Sequence, residues 1–364
     1  MVAVNIQSVW KYYGKTVAVK DLNLLCRENS FLAILGPSGC GKSSTLRMLA
    51  GLEHISAGDI FFGEQRVNML PPKDRDIAMV FENYALYPHK TVFENMANPL
   101  RLRGVDKAEI DRRVKAAAAM LQIDALLDRK PMQLSGGQKQ RTAIGRAIVR
   151  EPKVFLFDEP IAHLDAKLRA HMRGELKHLQ RRLETTTIYV THDQLEAMSM
   201  ADNIAVMHEG VLQQFGTPSE IYNHPANEWV AGFVGEPPMN FLNCRLELTS
   251  EGVVAVHPAC RIRLNDAQRR ILEEKQAEPD VKLGIRPDNI AYRAGANSGL
   301  DIPATVFVTE NLGGDMIVEV TLGDDRLTIK TKIGPIANLD DPCTIAFDVS
   351  RIHLFSTTTG VAYF

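Results

Sequence analysis

"GPSGCGKS", Gly36 to Ser43, decides the fold. It fits G-x-x-x-x-G-K-[ST] and lies between an apolar strand-like run, "FLAIL" (31–35), and a helical pattern, "KSSTLRMLAGL" (42–52), the context this motif requires. Gly36, Gly39 and Gly41 let the backbone bend so that successive N–H groups face inward toward phosphate oxygens. The helix N-terminus adds positive dipole. Lys42 reaches the β- and γ-phosphates, and Ser43 offers its hydroxyl to Mg²⁺. Pro37, Ser38, Cys40 and Ser44 complete the candidate phosphate-binding stretch. From average composition, a chance match arises in on the order of one chain in a hundred of this length, and the flanking strand and helix lower that further.

Outward from this loop, short apolar runs alternate with helical patterns. "IAMVF" (77–81), "VFLF" (154–157), "TTIYV" (186–190) and "IAVM" (204–207) read as buried strands, and residues 165–183 and 193–200 read as helices. Continuous apolar strands between helices predict a parallel sheet covered on both faces, hence an α/β core. Residues 91–150 hold helical patterns and no convincing strand. In "KAEIDRRVKAAAAMLQI" (107–123), Ile110, Val114, Ala117, Ala118 and Leu121 fall on one helix face. From about residue 236 the period changes to two: "VVAV" (253–256), "RIRL" (261–264), "VKLGI" (281–285), "ATVFV" (304–308), "MIVEV" (316–320), "RLTIKTK" (326–332) and "CTIAF" (343–347). Gly, Asp and Asn turns separate these runs, as in a small β-barrel or sandwich. The expected organisation is an α/β domain over residues 1–235, with a helical subdomain over about 88–152, and an all-β domain over 236–364.

Bulk properties exclude several classes. A net charge of −2 leaves no basic footprint for nucleic acid. No apolar run reaches the roughly 20 residues that span a bilayer, and the first residues lack a signal-peptide pattern. A cytosolic chain is expected. The cysteines, Cys26, Cys40, Cys244, Cys260 and Cys343, are scattered without a C-x-x-C, so neither structural disulfides nor a zinc site is expected.

Two further stretches carry chemistry. "VFLFDEP" (154–160) is an apolar strand ending in two carboxylates. Beside a phosphate loop, Asp158 suits Mg²⁺, directly or through water, and Glu159 is free to polarise an attacking water. "LSGGQ" (134–138) opens the helix "QKQRTAIGRAIVR", where a Gly-rich N-terminus can hold a second anion or simply form a Ser-capped turn.

Together, Gly36–Ser43, "LSGGQKQR", "VFLFDEP" and "VTHDQLEAM" resemble the ATP-binding cassette (ABC) ATPases, and "MNFL" (239–242) with "GIRPDNI" (284–290) resembles the C-terminal OB-like (TOBE-type) barrel of carbohydrate-importer ATPases of the maltose and glycerol-phosphate class. The resemblance implies a P-loop core with an inserted helical subdomain, and a homodimer (or a pair with a close paralogue) in which ATP on Gly36–Ser44 of one copy is capped by Ser135, Gly136, Gly137 and Gln138 of the other. It implies that Tyr13 stacks on adenine, that His192 contacts the γ-phosphate, and that Asp165 communicates across the dimer, although Asp165 also suits a plain helix N-cap. It further implies two transmembrane permease subunits, an external solute-binding protein, a peripheral position on the cytoplasmic face of the plasma membrane, and ATP hydrolysis as the stroke.

Two positions depart from the family pattern. Ala162 and His163 stand where "SN" is usual before Leu164–Asp165. An imidazole there makes the seam pH-sensitive or is silent at the surface. Glu82, in "MVFENYALYPH", stands where the family usually has a Gln whose carbonyl approaches Mg²⁺. A carboxylate suits Mg²⁺ but adds negative charge beside the phosphates. Three other classes compete: a non-transport ABC ATPase acting on ribosomes or DNA, an exporter ATPase, and a regulatory nucleotide-binding module. One Walker A match, no sustained heptads and no basic excess weigh against the first. The β-rich extension weighs against the second, and Glu159 with His192 against the third.

Overall fold

The structure is a computed structural model that describes residues 2–81, 83–250, 252–295, 302–333 and 338–364. Backbone contacts divide the chain into two compact units, Met1–Pro218 and Ser219–Phe364.

The first unit contains two sheets. β1 (Val4–Tyr13), β2 (Thr16–Cys26), β4 (Ala57–Phe62) and β5 (Gln65–Arg66) form an antiparallel sheet ordered β2-β1-β4-β5. Sequence reading did not anticipate it, because β1 and β2 are twisted, bulged strands of mixed polarity whose buried positions break strict alternation. The second sheet is ordered β10-β9-β3-β8-β7-β6, from β3 (Phe31–Leu35), β6 (Ile77–Val80), β7 (Val154–Asp158), β8 (Thr186–Thr191), β9 (Asn203–His208) and β10 (Val211–Gly216). β6 to β9 and β3 pair in parallel, and β10 closes the edge antiparallel to β9. Every residue of β3 and β8 is buried, as a parallel sheet covered on both faces demands.

Beyond the first, the α-helices of this unit begin on side-chain caps that the sequence supplies. After α1 (Lys42–Ala50) come α2 (Val92–Leu102), α3 (Lys107–Met120) and α4 (Gly136–Ile148), capped by Thr91, Asp106 and Ser135. No strand lies among the described residues between β6 and β7. Ile110, Val114, Ala117, Ala118 and Leu121 are all buried. α5 (Ala166–Leu183) and α6 (Gln194–Met200) start on Asp165 and Asp193. At the other end of α1, buried Arg75 donates to the carbonyls of Met48 and Leu49, satisfying groups that a helix C-terminus leaves unpaired.

The division at 218/219 precedes the 235/236 boundary expected from sequence. α7 (Pro218–Asn223) and α8 (Glu228–Phe233) are helical and so read as part of the α/β half. In the second unit, however, Arg286, 2% exposed, donates to the carbonyls of Tyr222, Ala231 and Val234 and lies over the Tyr222 ring at 4.3 Å. One guanidinium thus fastens both helical segments to the β-rich part.

The rest of that unit is β11 (Asn240–Thr249), β12 (Gly252–His257), β13 (Cys260–Arg263), α9 (Asp266–Glu274), β14 (Asp280–Ile285), β15 (Ile290–Ala294), β16 (Ile302–Asn311), β17 (Asp315–Leu322), β18 (Asp325–Lys332), β19 (Pro342–Phe347) and β20 (His353–Ser356). Two five-stranded antiparallel sheets, β13-β12-β11-β14-β20 and β15-β19-β16-β17-β18, share one apolar core. The period-2 pattern of "MIVEV" becomes a strand whose Met316, Val318, Val320 and Leu322 all point inward.

All five cysteines are free and buried. Among the described residues no helix is long and apolar enough to cross a membrane.

Candidate functional site

β3 delivers the chain into the phosphate loop and α1 carries it away. Gly36 is required by space: a Cβ there would lie 2.2 Å from the carbonyl oxygen of Met207 on β9. Gly41, at φ 103°, is required by conformation as well, and a Cβ would lie 2.4 Å from Ala18 O. Gly41 is also the N-cap of α1 and offers no side-chain cap, so the first N–H groups of the helix remain available to an anion. Lys42 is 5% exposed, and its ammonium donates to the carbonyls of Gly36 (2.8 Å) and Pro37 (2.9 Å). The charge is held in the loop by groups that a phosphate can replace. Burial pushes the Cys40 thiol up from its ordinary value, so the loop carries no thiolate to oppose a phosphate.

The acid strand ends beside this loop. Ser43 Oγ donates to Asp158 Oδ1 at 3.2 Å. Both are hard oxygen donors, which fits Mg²⁺. Among the described residues no cluster of three or more His, Cys, Asp or Glu forms a complete metal cage.

Glu159 turns the other way. Its φ is 45°, unusual for a residue with a side chain, and its N–H is tied to Val190 O of β8 at 3.0 Å. Parallel pairing sets Asp158 opposite Val190. The bend that follows β8 therefore brings His192 Nδ1 to 2.8 Å from Glu159 Oε2. Beneath it, Tyr189 and Thr191 hydroxyls donate to buried Glu196 at 2.8 and 2.7 Å. Burial pushes the Glu196 carboxyl up.

Other expected residues lie at loop and helix ends. Tyr13, at the end of β1, is exposed, with Lys11 Nζ over its ring at 4.6 Å. Ser135 caps α4 through a capping box with Gln138, while Gly136 and Gly137 open the first turn. A Cβ on Gly137 would lie 2.7 Å from Leu168 of α5. Asp165 is exposed and caps α5 by accepting from Leu168 N at 3.0 Å. His163 is exposed. Glu82 lies outside the described residues.

Sequence reading missed the residues that hold these loops. Tyr84 and Ala85 both adopt positive φ, 60° and 44°. Arg146 on α4 donates to their carbonyls at 3.0 and 2.6 Å. Burial pulls this arginine below its ordinary value. Asn95 on α2, fully buried, donates to the carbonyls of Tyr87, Lys90 and Thr91 and accepts from Tyr87 N–H. The loop that leaves β6 is thus stapled to two helices. The one available signal was a polar residue in a buried helix face.

Comparison with known proteins places this arrangement. Residues 19–162 match the ABC transporter family, and residues 235–290 match the MalK OB fold domain. The chain is 48% identical to the trehalose/maltose import ATP-binding protein MalK of Thermococcus litoralis, over all of both chains. This chain belongs to the ABC transporter family. Two other ABC relatives cover 99% of both chains: the sn-glycerol-3-phosphate import ATP-binding protein UgpC of Escherichia coli, at 46% identity, and the oligosaccharides import ATP-binding protein MsmX of Bacillus subtilis, at 45%. Among solved ABC structures, a dimeric post-hydrolysis cassette bound to ADP and phosphate matches with TM-score 0.54 and 30% identity, over 59% of this chain and 98% of that one. The fold is therefore the ABC ATPase P-loop core followed by an OB-like domain.

Proposed function

We propose that this chain is the ATP-hydrolysing subunit of an ABC importer that drives uptake of a sugar or related polyol or phosphate through separate membrane subunits. The carrying observation is the pair of divergent contacts at the end of β7: Asp158 on Ser43 of the phosphate loop, and Glu159 on His192. Solute class and direction rest on the importers named above.

ATP is the substrate. Backbone N–H groups within Gly36–Ser44, Pro37 having none, bind its phosphates, with Lys42 exchanging the carbonyls of Gly36 and Pro37 for phosphate oxygens. Tyr13 stacks on adenine. Ser43 and Asp158 hold Mg²⁺, with Glu82 as a further oxygen donor. When bound, this ion neutralises charge developing on the phosphate oxygens. Glu159 orients a water and accepts its proton as the water oxygen attacks the γ-phosphorus and the bond to the β-phosphate oxygen breaks. His192 keeps the Glu159 carboxylate aimed and reaches the γ-phosphate. A second copy supplies Ser135, Gly136, Gly137 and Gln138, and Asp165 relays between copies. ATP bridges the two copies and its hydrolysis releases them, which is the stroke.

The partners that follow are a second copy or close paralogue, two permease subunits on whose cytoplasmic face the dimer sits, and an external solute-binding protein. Nucleic acid is not a partner. The domain division proposed with this function is a nucleotide-binding domain over 1–235, its helical subdomain over about 88–152, and a regulatory β-rich domain over 236–364.

Purified full-length chain should hydrolyse ATP, and Glu159→Gln should lower kcat at least about 100-fold while retaining ATP-dependent dimerisation in light scattering. Parent-level turnover by Glu159→Gln would remove Glu159 from the reaction, and a parent chain that binds ATP without hydrolysing it, alone or with permeases, would point to a regulatory module instead.

A further inference from the structure

We propose that Arg169 is a positioning residue that ties the loop bearing Asp165 to the loop bearing His192, so that a displacement of one is passed to the other. The inference rests on the reading of Asp165 and His192 given above.

Arg169 sits in the first turn of α5, its N–H bonded to Asp165 O at 2.8 Å. Its guanidinium forks. Nη2 donates to Leu164 O at 3.3 Å, next to Asp165. Nη1 reaches Asp193 Oδ2 at 3.2 Å, next to His192. Nε is buried without a hydrogen-bond partner. An orphaned buried donor is destabilising, so packing alone does not select this placement.

The loop Arg169 grips is stiff. Asp193 Oδ1 accepts from Glu196 N–H at 3.0 Å and caps α6. The Asp193 N–H donates to Thr191 Oγ1 at 2.9 Å, and that hydroxyl donates to Glu196 Oε2 at 2.7 Å. His192 is carried inside this closed turn, 2.8 Å from Glu159. Asp193 Oδ1 faces its own helix, while Oδ2 faces Arg169. A shift of Leu164–Asp165 therefore pulls on Asp193, and the stiff turn moves His192 with it. Only a planar fork spans both acceptors; one ammonium does not.

In the full-length chain, Arg169→Lys and Asp193→Asn should each lower kcat for ATP hydrolysis about ten-fold, with KM for ATP within about two-fold of the parent. Asparagine caps a helix as well as aspartate, so Asp193→Asn removes the charge pair and keeps α6 capped. It carries the test alone if Arg169→Lys does not fold, as judged by Tm. The double variant should be no slower than the slower single. Parent-level kcat in a folded single variant, or a double variant showing the product of both losses, overturns the bridge. Glu159→Gln, measured beside them, separates the cases. If it is inactive while the Arg169 and Asp193 variants turn over normally, only the bridge falls. If it hydrolyses at the parent rate, the reading of the site falls.

Discussion

Ser43 Oγ meets Asp158 Oδ1 at 3.2 Å, joining the first turn of α1 to the end of β7. Two oxygens from distant parts of the chain are thereby held side by side, the partial cage that Mg²⁺ takes. Ser43→Ala should raise the Mg²⁺ concentration for half-maximal hydrolysis about ten-fold, and Asp158→Asn should lower kcat about 100-fold or more. In EDTA both should bind nucleotide within about two-fold of the parent, read by fluorescence titration. Equal weakening with and without Mg²⁺ would show that the pair serves the loop's shape and not the metal.

The phosphate-loop glycines should not be equivalent. Gly39 has φ 81° but open space where a Cβ would sit, whereas a Cβ on Gly36 would lie 2.2 Å from Met207 O and 2.6 Å from Cys40 Sγ. Gly39→Ala should cost about 1 kcal/mol, the strain of a left-handed residue. Gly36→Ala should cost about 3 kcal/mol or more, because a backbone carbonyl must move. Chemical denaturation of both variants ranks them; equal losses would contradict the steric account.

Glu82 concerns charge at a position the family usually fills with an amide. On the proposed role of Glu82 as an oxygen donor to Mg²⁺, a phosphate charge about 5 Å away would repel it by about 3 kcal/mol at an effective dielectric near 20, and Mg²⁺ attraction would offset much of that. Nucleotide affinity should therefore depend more steeply on Mg²⁺ in this chain than in Glu82→Gln. Titrations with and without Mg²⁺ decide it, and identical Mg²⁺ dependence would refute the charge argument.

His353 should make the second unit acid-sensitive. Burial pushes its imidazole from 6.5 down to about 4; the Phe364 carbonyl accepting from Nδ1 at 3.1 Å opposes the shift, and Arg286, His224 and Arg351 reinforce it. The unfolded chain then binds more protons than the folded one between those values. Stability is full above pH 6.5 and falls as pH drops toward 4, by about 3 kcal/mol at most. Denaturation at pH 7 and pH 4.5 should show the loss, and His353→Gln should flatten it. A slope that persists unchanged in His353→Gln would assign it to other groups.

Much of the α/β half was legible because its signals are local. Strands β3, β6, β7, β8 and β9 are uninterrupted apolar runs, and Asp165 and Ser135 sit where helix caps belong. β1 and β2 were not legible, since bulges break their alternation. Nor were α7 and α8 assignable, because their attachment depends on Arg286, more than 50 positions along the chain. Arg146 and Arg169 carry no local signal in the sequence. Their worth lies in carbonyls and a carboxylate that approach only after folding.

The sequence by itself determined the local elements of the site: which glycines bend the phosphate loop, which lysine and serine follow them, and that two carboxylates close a buried strand. These follow from residue type and spacing within a few positions. Tertiary structure alone decided that adjacent Asp158 and Glu159 serve different partners. Glu159 adopts positive φ, parallel pairing of β7 with β8 brings His192 to Glu159, and parallel pairing of β3 with that same β8 carries Ser43, at the start of α1, to Asp158. Register between distant strands is set by packing of the whole sheet, and no local run of residues carries it.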